Sequence, residues 1–140
     1  MKVAGSYTLA MPQERAYTLL QDPEILAKCI PGCERLEKVG PDEYAMKMKM
    51  ALAAVSGSFD GKVSIADQNP PESFRLIVEG RGKIGWMKGG GVLTLSGGTE
   101  VKYEGDVQVG GTIAAVGQRL VDTTAKMLIK RFFEKLATVT

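Results

Sequence analysis

The sequence contains no histidine and only two cysteines among its 140 residues. Histidine is the side chain best suited to moving protons near neutral pH and the commonest metal ligand, so its absence argues against most acid–base and metal sites. Cys29 and Cys33 are too few for a zinc site without histidine and too few for a disulfide scaffold. We therefore expect no catalytic residue, no metal and no cofactor. We interpret both cysteines as buried or half-buried free thiols in a reducing compartment, with a redox switch as the alternative.

Long apolar runs and a one-sided charge are also missing. The longest fully apolar runs span only a few residues, so no transmembrane segment is predicted. The first residues lack the apolar stretch of a signal peptide, which predicts a cytoplasmic protein. Acidic and basic residues are interspersed and the net charge is +2, a pattern that argues against nucleic-acid binding. The length fits one domain over residues 1–140.

The hydrophobic periodicity predicts an α+β domain. Asp22 is a predicted N-cap before Pro23 in the second of two short helices. An antiparallel sheet with one apolar face needs a partner, and the C-terminal helix is the only element large enough to supply one. The expected fold is therefore a helix grip, a seven-stranded antiparallel curved sheet wrapped around the long C-terminal helix. The predicted elements are a strand at residues 3–9, helices at 14–20 and 23–29, strands at about 34–39, 43–53, 57–67, 72–83, 89–96 and 100–109 with a glycine-rich break at 85–91, and one helix at 113–139.

An apolar cavity is predicted between the sheet and the helix. In the strand at 43–53, tyrosine and methionines share one face while Lys47 and Lys49 share the other. Methionine is flexible and polarizable and suits a wall that adapts to a ligand, although an apolar stripe is equally typical of an ordinary core. Small inward residues such as Gly61 and Gly105 would enlarge the space. The predicted ligand-binding wall comprises Tyr44, Met46, Met48, Met50, Phe59, Val63, Phe74, Leu76, Trp86, Leu93, Tyr103, Ile113, Val116 and Leu120.

A hairpin carrying the only tryptophan stands out. Trp86 and Met87 lie between Lys83 and Lys88, flanked by glycines. The order of the strands places this hairpin at the same end as the turns near 54–57 and 110–112. Such a composition suits a mobile lid, a membrane-interface contact or a docking tip, and the alternative is that Trp86 folds back to plug the core.

The segment at residues 22–34, DPEILAKCIPGCE, resembles the signature of the CoxG family, which is named for a subunit of carbon monoxide dehydrogenase. This family is a branch of the Bet v 1-like, START-related (SRPBCC) superfamily. Further likeness lies in GSY at 5–7, PPES at 70–73, QVGG at 108–111 and GQRL at 117–120. The resemblance implies the helix-grip fold, a deep hydrophobic cavity and an accessory role beside a molybdenum-containing CO dehydrogenase. It also implies help in placing that enzyme at the membrane and the handling of a quinone-like lipid.

Three functions follow from these observations. The first is a non-catalytic accessory protein that binds a quinone or lipid and docks a molybdenum CO dehydrogenase-type oxidoreductase at the membrane. Several family members carry a further C-terminal segment that could reach a membrane, whereas this chain ends at Thr140, so we expect peripheral, transient contact with the inner face of the membrane. The second is a cyclase- or dehydratase-type enzyme of the same superfamily, for which Tyr44, Tyr103 and Arg119 are the candidate groups. The third is a ligand-free protein-docking scaffold.

Overall fold

The computed structural model describes residues 1–52, 55–97 and 99–138, with no account of the side chains at 51, 52 and 55. The strands are β1 Lys2–Thr8, β2 Cys33–Gly40, β3 Glu43–Leu52, β4 Val55–Asn69, β5 Ser73–Gly82, β6 Gly85–Ser96 and β7 Glu100–Gly110. Helices α1 Gln13–Leu19 and α2 Pro23–Cys29 follow β1, and helices α3 Thr112–Ala115 and α4 Gln118–Thr138 follow β7.

All seven strands form one antiparallel sheet in the order β1-β7-β6-β5-β4-β3-β2. The strands from β2 to β7 form a meander, and β1 adds to its far edge by pairing Val3 with Gly105. Successive side chains alternate between the two faces of the sheet, and the apolar ones point to the side that carries the helices. The predicted fold class, a seven-stranded antiparallel curved sheet with two short helices after the first strand and a long C-terminal helix, is confirmed.

Glycines on the inner face let neighbouring strands approach closely. Gly61 pairs with Gly80, and Gly91 pairs with Gly105. A Cβ built on Gly91 would lie 2.7 Å from the carbonyl oxygen of Glu104, which is closer than real side chains come. A sheet without side chains at these points can curl toward its inner face, because nothing holds the backbones apart.

The second short helix starts as the sequence predicts. The Asp22 carboxylate accepts a hydrogen bond from the backbone N–H of Glu24 at 2.9 Å, and Pro23 occupies the first turn. This is the capping geometry that a helix beginning with proline favours.

The prediction of one uninterrupted C-terminal helix at 113–139 is wrong. The helix breaks between α3 and α4 at Gly117, whose φ of +99° lies in a region that glycine adopts without strain. The break changes the phase of the buried stripe, so that Val121 is buried while Leu120 is 40% exposed. Leu120, predicted to lie on the wall of the cavity, therefore faces away from the core.

The glycine-rich segment at 85–91 is not a break in the sheet. β6 begins at Gly85, which pairs with Gly82 and leaves only Lys83 and Ile84 in the turn. Gly85 has φ of +139°, a value that favours glycine where a tight hairpin reverses direction. As a result Trp86 lies within a strand rather than in a loop.

Candidate functional site

The apolar side chains between sheet and helices form two clusters. The first, which we call the major cluster, joins α1, α2 and the end of α4 to the sheet. The second, the tip cluster, lies at the opposite end beside the β5–β6 turn. The buried members of the major cluster are Leu9, Met11, Ala16, Tyr17, Leu20, Cys29, Tyr44, Met46, Val63, Ile65, Phe74, Leu95, Val101, Phe133 and Leu136. Those of the tip cluster are Phe59, Ile113 and Val121, with Met1, Met48, Met50, Ile84, Val109 and Val116 packed against them.

The middle of the inner face is less completely covered than either cluster core. Leu76, Val78 and Leu93 point to the helix side, yet all three are only half-buried. Their neighbours Gly89 and Gly91 bring no side chains to cover them. The backbone of α4 comes nearest to α2, β1 and α3. The three half-buried side chains therefore form a partly exposed apolar floor on β5 and β6.

A cleft of about 370 Å³ lies at the edge of the sheet beside the tip cluster. β1 pairs with β7 as far as Asp106, and Met1 extends the pairing by exchanging two hydrogen bonds with the backbone of Val107. Beyond Val107, β7 has no strand neighbour on that side among the described residues. The cleft is lined by Met1, Trp86, Val107, Gln108, Val109, Ala114, Gln118 and Val121. Three of these, Met1, Val109 and Val121, also belong to the tip cluster, so the cleft reaches the apolar side chains under α3 and α4.

The predicted wall residues fall into three groups. Those that are buried are Tyr44, Met46, Phe59, Val63, Phe74 and Ile113, and those that are half-buried are Met48, Met50, Leu76, Leu93, Tyr103 and Val116. Trp86 and Leu120 are exposed. Trp86 does not plug the core, because it is 39% exposed and its ring lies over Gly110, which has no side chain. That these residues bind a ligand stays a prediction.

Four residues at the site lie outside the predicted wall. Val107 and Val109 line the cleft, and their alternation along β7 places them on the inner face of the sheet. Val78 continues the alternation of Phe74 and Leu76 in the same way. Val121 was missed because the helix break at Gly117 moves the inward stripe by one position.

The polar groups near this space are few. Tyr103 stacks on Phe133 with ring centroids 6.0 Å apart, and Phe133 stacks on Tyr7 at 4.5 Å. Burial raises the pKa of the Tyr103 hydroxyl, with a further contribution from Tyr7, so the phenol is neutral at physiological pH. Arg119 is exposed on the first turn of α4. Over the described ranges, no three histidine, cysteine or acidic residues come together in a way that could hold a metal ion.

The two thiols are free, as the sequence predicts. Cys29 ends α2 and is 2% exposed within the major cluster, while Cys33 begins β2 and is half-buried. Burial raises the pKa of both thiols, and for Cys29 the nearby Lys135 and Lys28 offset part of that effect.

We predict that both thiols react slowly in the native protein. Because a raised pKa lowers the thiolate fraction at pH 8, modification by an aromatic disulfide reagent should be slower than for free cysteine. Cys29 should react last, since its sulfur is covered. The variants Cys29→Ser and Cys33→Ser assign the two rates, and the same reaction in urea gives the unprotected control. Modification of both sites at the free-cysteine rate would contradict their burial.

Among the described residues, the helices lack a stretch that combines the length and the apolar character of a bilayer-spanning helix.

Comparison with known proteins supports the assignment of the fold and of the family. The sequence profile of the CoxG family, described as a subunit of carbon monoxide dehydrogenase, matches residues 5–140. The crystal structure of a conserved protein from Geobacillus kaustophilus is 37% identical, with 99% of this chain and 93% of that chain covered and a TM-score of 0.96. No curated protein matches the chain.

More distant structures share the fold alone. A protein from Chromobacterium violaceum is 19% identical, with 98% of this chain and 95% of that chain covered and a TM-score of 0.69. The di-domain ARO/CYC protein BexL from the BE-7585A biosynthetic pathway is 12% identical, with 99% of this chain and 49% of that chain covered and a TM-score of 0.67. The family match spans nearly the whole sequence and agrees with the signature at residues 22–34. The chain therefore belongs to the CoxG family of carbon monoxide dehydrogenase subunits.

Proposed function

We propose that the protein binds a hydrophobic small molecule between the inner face of its sheet and α4. The observation that carries this proposal is the partial exposure of Leu76, Val78 and Leu93 at the centre of an apolar concave face. In a domain whose interior is filled, side chains in this position would be buried, because protein cores pack about as densely as organic crystals. The glycines beside them leave room rather than filling it.

The chemistry of the walls favours a ligand with a long apolar portion, and we infer that it is a quinone or a lipid. Methionines, valines and leucines dominate the inner face, and the neutral phenol of Tyr103 offers a hydrogen bond without a charge. Burying apolar surface stabilises a complex by roughly 25 cal/mol per Å², so an isoprenoid or acyl chain needs few polar contacts to bind. Methionine side chains such as Met48 and Met50, which lie beside the tip cluster, can adjust to the shape of the chain.

We infer that the protein carries its apolar ligand and does not catalyse a reaction on it. The sequence has no histidine. Of the three groups that an enzyme of this fold would use here, Tyr44 is in the major cluster, Tyr103 is neutral, and Arg119 is exposed on α4. None of the three makes an ion pair or a side-chain hydrogen bond with another described residue that would create an acid–base pair.

The family name points to a partner. Since the family is described as a subunit of carbon monoxide dehydrogenase, we infer that this chain serves a molybdenum CO dehydrogenase-type oxidoreductase at the membrane. A hydrophobic electron carrier held by the accessory protein would link such an enzyme to the lipid phase.

Native mass spectrometry with a short-chain ubiquinone analogue and with oleic acid tests the binding step. The wild-type protein is expected to take up one molecule of at least one of these probes. Val78→Trp, or Val78→Phe if the larger side chain impairs folding, should weaken that uptake about tenfold or more by filling the space. The matched control is Ile77→Trp, since Ile77 is the adjacent residue on the outer face and is 39% exposed. It should bind as the wild type does.

A wild-type protein that stays free of both probes would contradict the proposal. Equal uptake by Val78→Trp and Ile77→Trp, with both variants shown to be folded by circular dichroism, would place the ligand elsewhere.

A further inference from the structure

The β5–β6 hairpin ends in a basic, aromatic surface. Arg81 pairs with Trp86 across the hairpin, Lys83 lies in the two-residue turn, and Lys88 shares the outer face with Trp86 two residues later. All three cations are exposed, and the indole ring of Trp86 is 39% exposed. We call these four residues the basic tip.

The start of α4 extends the basic tip. Gln118 lines the same cleft as Trp86, and the next two residues, Arg119 and Leu120, are both exposed. Leu120, at 40% exposure, is one of the few large apolar side chains that the described residues leave open to solvent. Trp86 and Leu120 thus lie on two sides of the cleft. Arg81 lies opposite Trp86 across the hairpin, and Arg119 precedes Leu120 in the sequence.

The cations of the basic tip are available for a partner. Neither Arg81, Lys83, Lys88 nor Arg119 forms an ion pair within the described ranges. The carboxylates nearest in register are those of Asp60, opposite Arg81, and Glu79, opposite Lys88.

The turns at the other end of the sheet are rich in carboxylates, most of which are paired. The acidic residues in or beside those turns are Asp42, Glu43, Asp67, Glu72 and Glu100. Three of them are paired with neighbouring cations on the strands, through Glu43–Lys62, Asp67–Arg75 and Glu100–Lys102. The end that holds the cleft therefore presents cations, whereas the turns at the other end present carboxylates. An anionic surface would be attracted to the cations at the first end that form no ion pair.

We propose that the basic tip docks on a bilayer containing anionic phospholipid, with the cleft facing the lipid. This inference rests on the proposed function, since it identifies the surface through which a hydrophobic ligand is exchanged. Tryptophan favours the headgroup region of a bilayer, where its ring is in an apolar setting and its N–H remains hydrated. Each lysine or arginine near an anionic bilayer strengthens binding by about fivefold. The cleft of about 370 Å³ then joins the lipid to the tip cluster without exposing the ligand to water.

Trp86 is the only tryptophan of the chain, so its fluorescence reports this contact directly. The purified protein is mixed at low ionic strength with vesicles of phosphatidylcholine, with or without one-third phosphatidylglycerol. Sedimentation with the anionic vesicles only is expected, together with a blue shift of the tryptophan emission and quenching by lipids brominated near the headgroup. Binding should fall steeply as salt is added, because the charges lie at the surface.

A pair of charge-matched variants assigns the contact to the basic tip. Lys83→Ala with Lys88→Ala should reduce vesicle binding by about twenty-fivefold, the product of two fivefold contributions. Lys38→Ala with Lys102→Ala removes the same net charge from exposed positions outside the tip and should stay within about twofold of the wild type.

Four outcomes would overturn the docking surface: no sedimentation with anionic vesicles, equal binding to neutral ones, unchanged tryptophan emission in the bound state, or equal losses in the two double variants. The proposed function is tested separately, because uptake of the quinone or oleic acid by the Lys83→Ala, Lys88→Ala variant is measured without vesicles. Normal uptake by this variant together with its reduced vesicle binding is the expected result. Normal uptake by a wild-type protein that does not sediment with anionic vesicles would leave the ligand site standing and overturn the docking surface alone.

Discussion

Replacement of Gly105 by alanine is expected to destabilise the fold by about 3 kcal/mol. A Cβ at this position would lie 2.5 Å from the Gly90 carbonyl oxygen and 2.9 Å from the Gly91 Cα, and both are backbone atoms of the neighbouring strand. A flexible side chain could turn aside, whereas this backbone is held in the β6–β7 ladder on one side and the β5–β6 ladder on the other. The strands would have to separate, and the curl of the sheet around α4 would be reduced.

Urea unfolding followed by circular dichroism measures this loss, and two other glycines serve as controls. Gly90→Ala meets only the Leu76 carbonyl oxygen, at 3.4 Å, and should lose far less stability than Gly105→Ala. Gly97→Ala has nothing within 4 Å and should stay within about 0.5 kcal/mol of the wild type. If Gly105→Ala unfolds at the same urea concentration as Gly97→Ala, close backbone approach is not what requires glycine here.

Much of the fold could be predicted because it depends on local patterns. Side chains alternate strictly along a strand, so the apolar residues at 44–50 could be assigned to the inner face from their spacing alone. The Asp22-Pro23 pair marks the start of α2 by a hydrogen bond that forms within three residues. One long helix after a meander of strands leaves few arrangements that cover the apolar face.

The parts that could not be predicted depend on backbone dihedral angles or on distant strands. Nothing in the periodicity at 113–120 shows that Gly117 takes a positive φ, although this angle decides whether Leu120 or Val121 faces the core. The two-residue turn at Lys83 and Ile84 depends in the same way on Gly85.

The cleft depends on where β1 begins relative to β7. These strands are about 100 residues apart in the sequence, and the cleft forms only because β1 leaves the last residues of β7 without a neighbour. The register of β1 against β7 cannot be predicted from any short segment of the sequence. The apolar lining at Val107 and Val109, in contrast, follows from the alternation of side chains once β7 is known.

Truncation of Phe133 to alanine is expected to cost about 3–5 kcal/mol, the usual range for an aromatic side chain lost from a core. Phe133 is 4% exposed and fixes α4 to the edge of the sheet. Its ring stacks on Tyr7 of β1 with centroids 4.5 Å apart and on Tyr103 of β7 at 6.0 Å, while Phe132 meets it edge-on at 5.2 Å. Such a loss is a large fraction of the roughly 5–15 kcal/mol by which domains are stable.

Loss of the Phe133 ring should affect α4 more than it affects the central strands. α4 is held by Val121 in the tip cluster and by Phe133 and Leu136 in the major cluster, and Phe133 carries the ring contacts with the edge strands. Loss of its ring should therefore loosen the end of the helix while β3 to β6 stay paired. Amide hydrogen exchange should therefore rise in α4 more than in the central strands, and ligand release should become faster. Leu120→Ala, an exposed position on the same helix, should change neither quantity. Equal increases in exchange throughout the sheet and α4 would show instead that the domain unfolds as one unit and that α4 does not act as a separable cover over the apolar space.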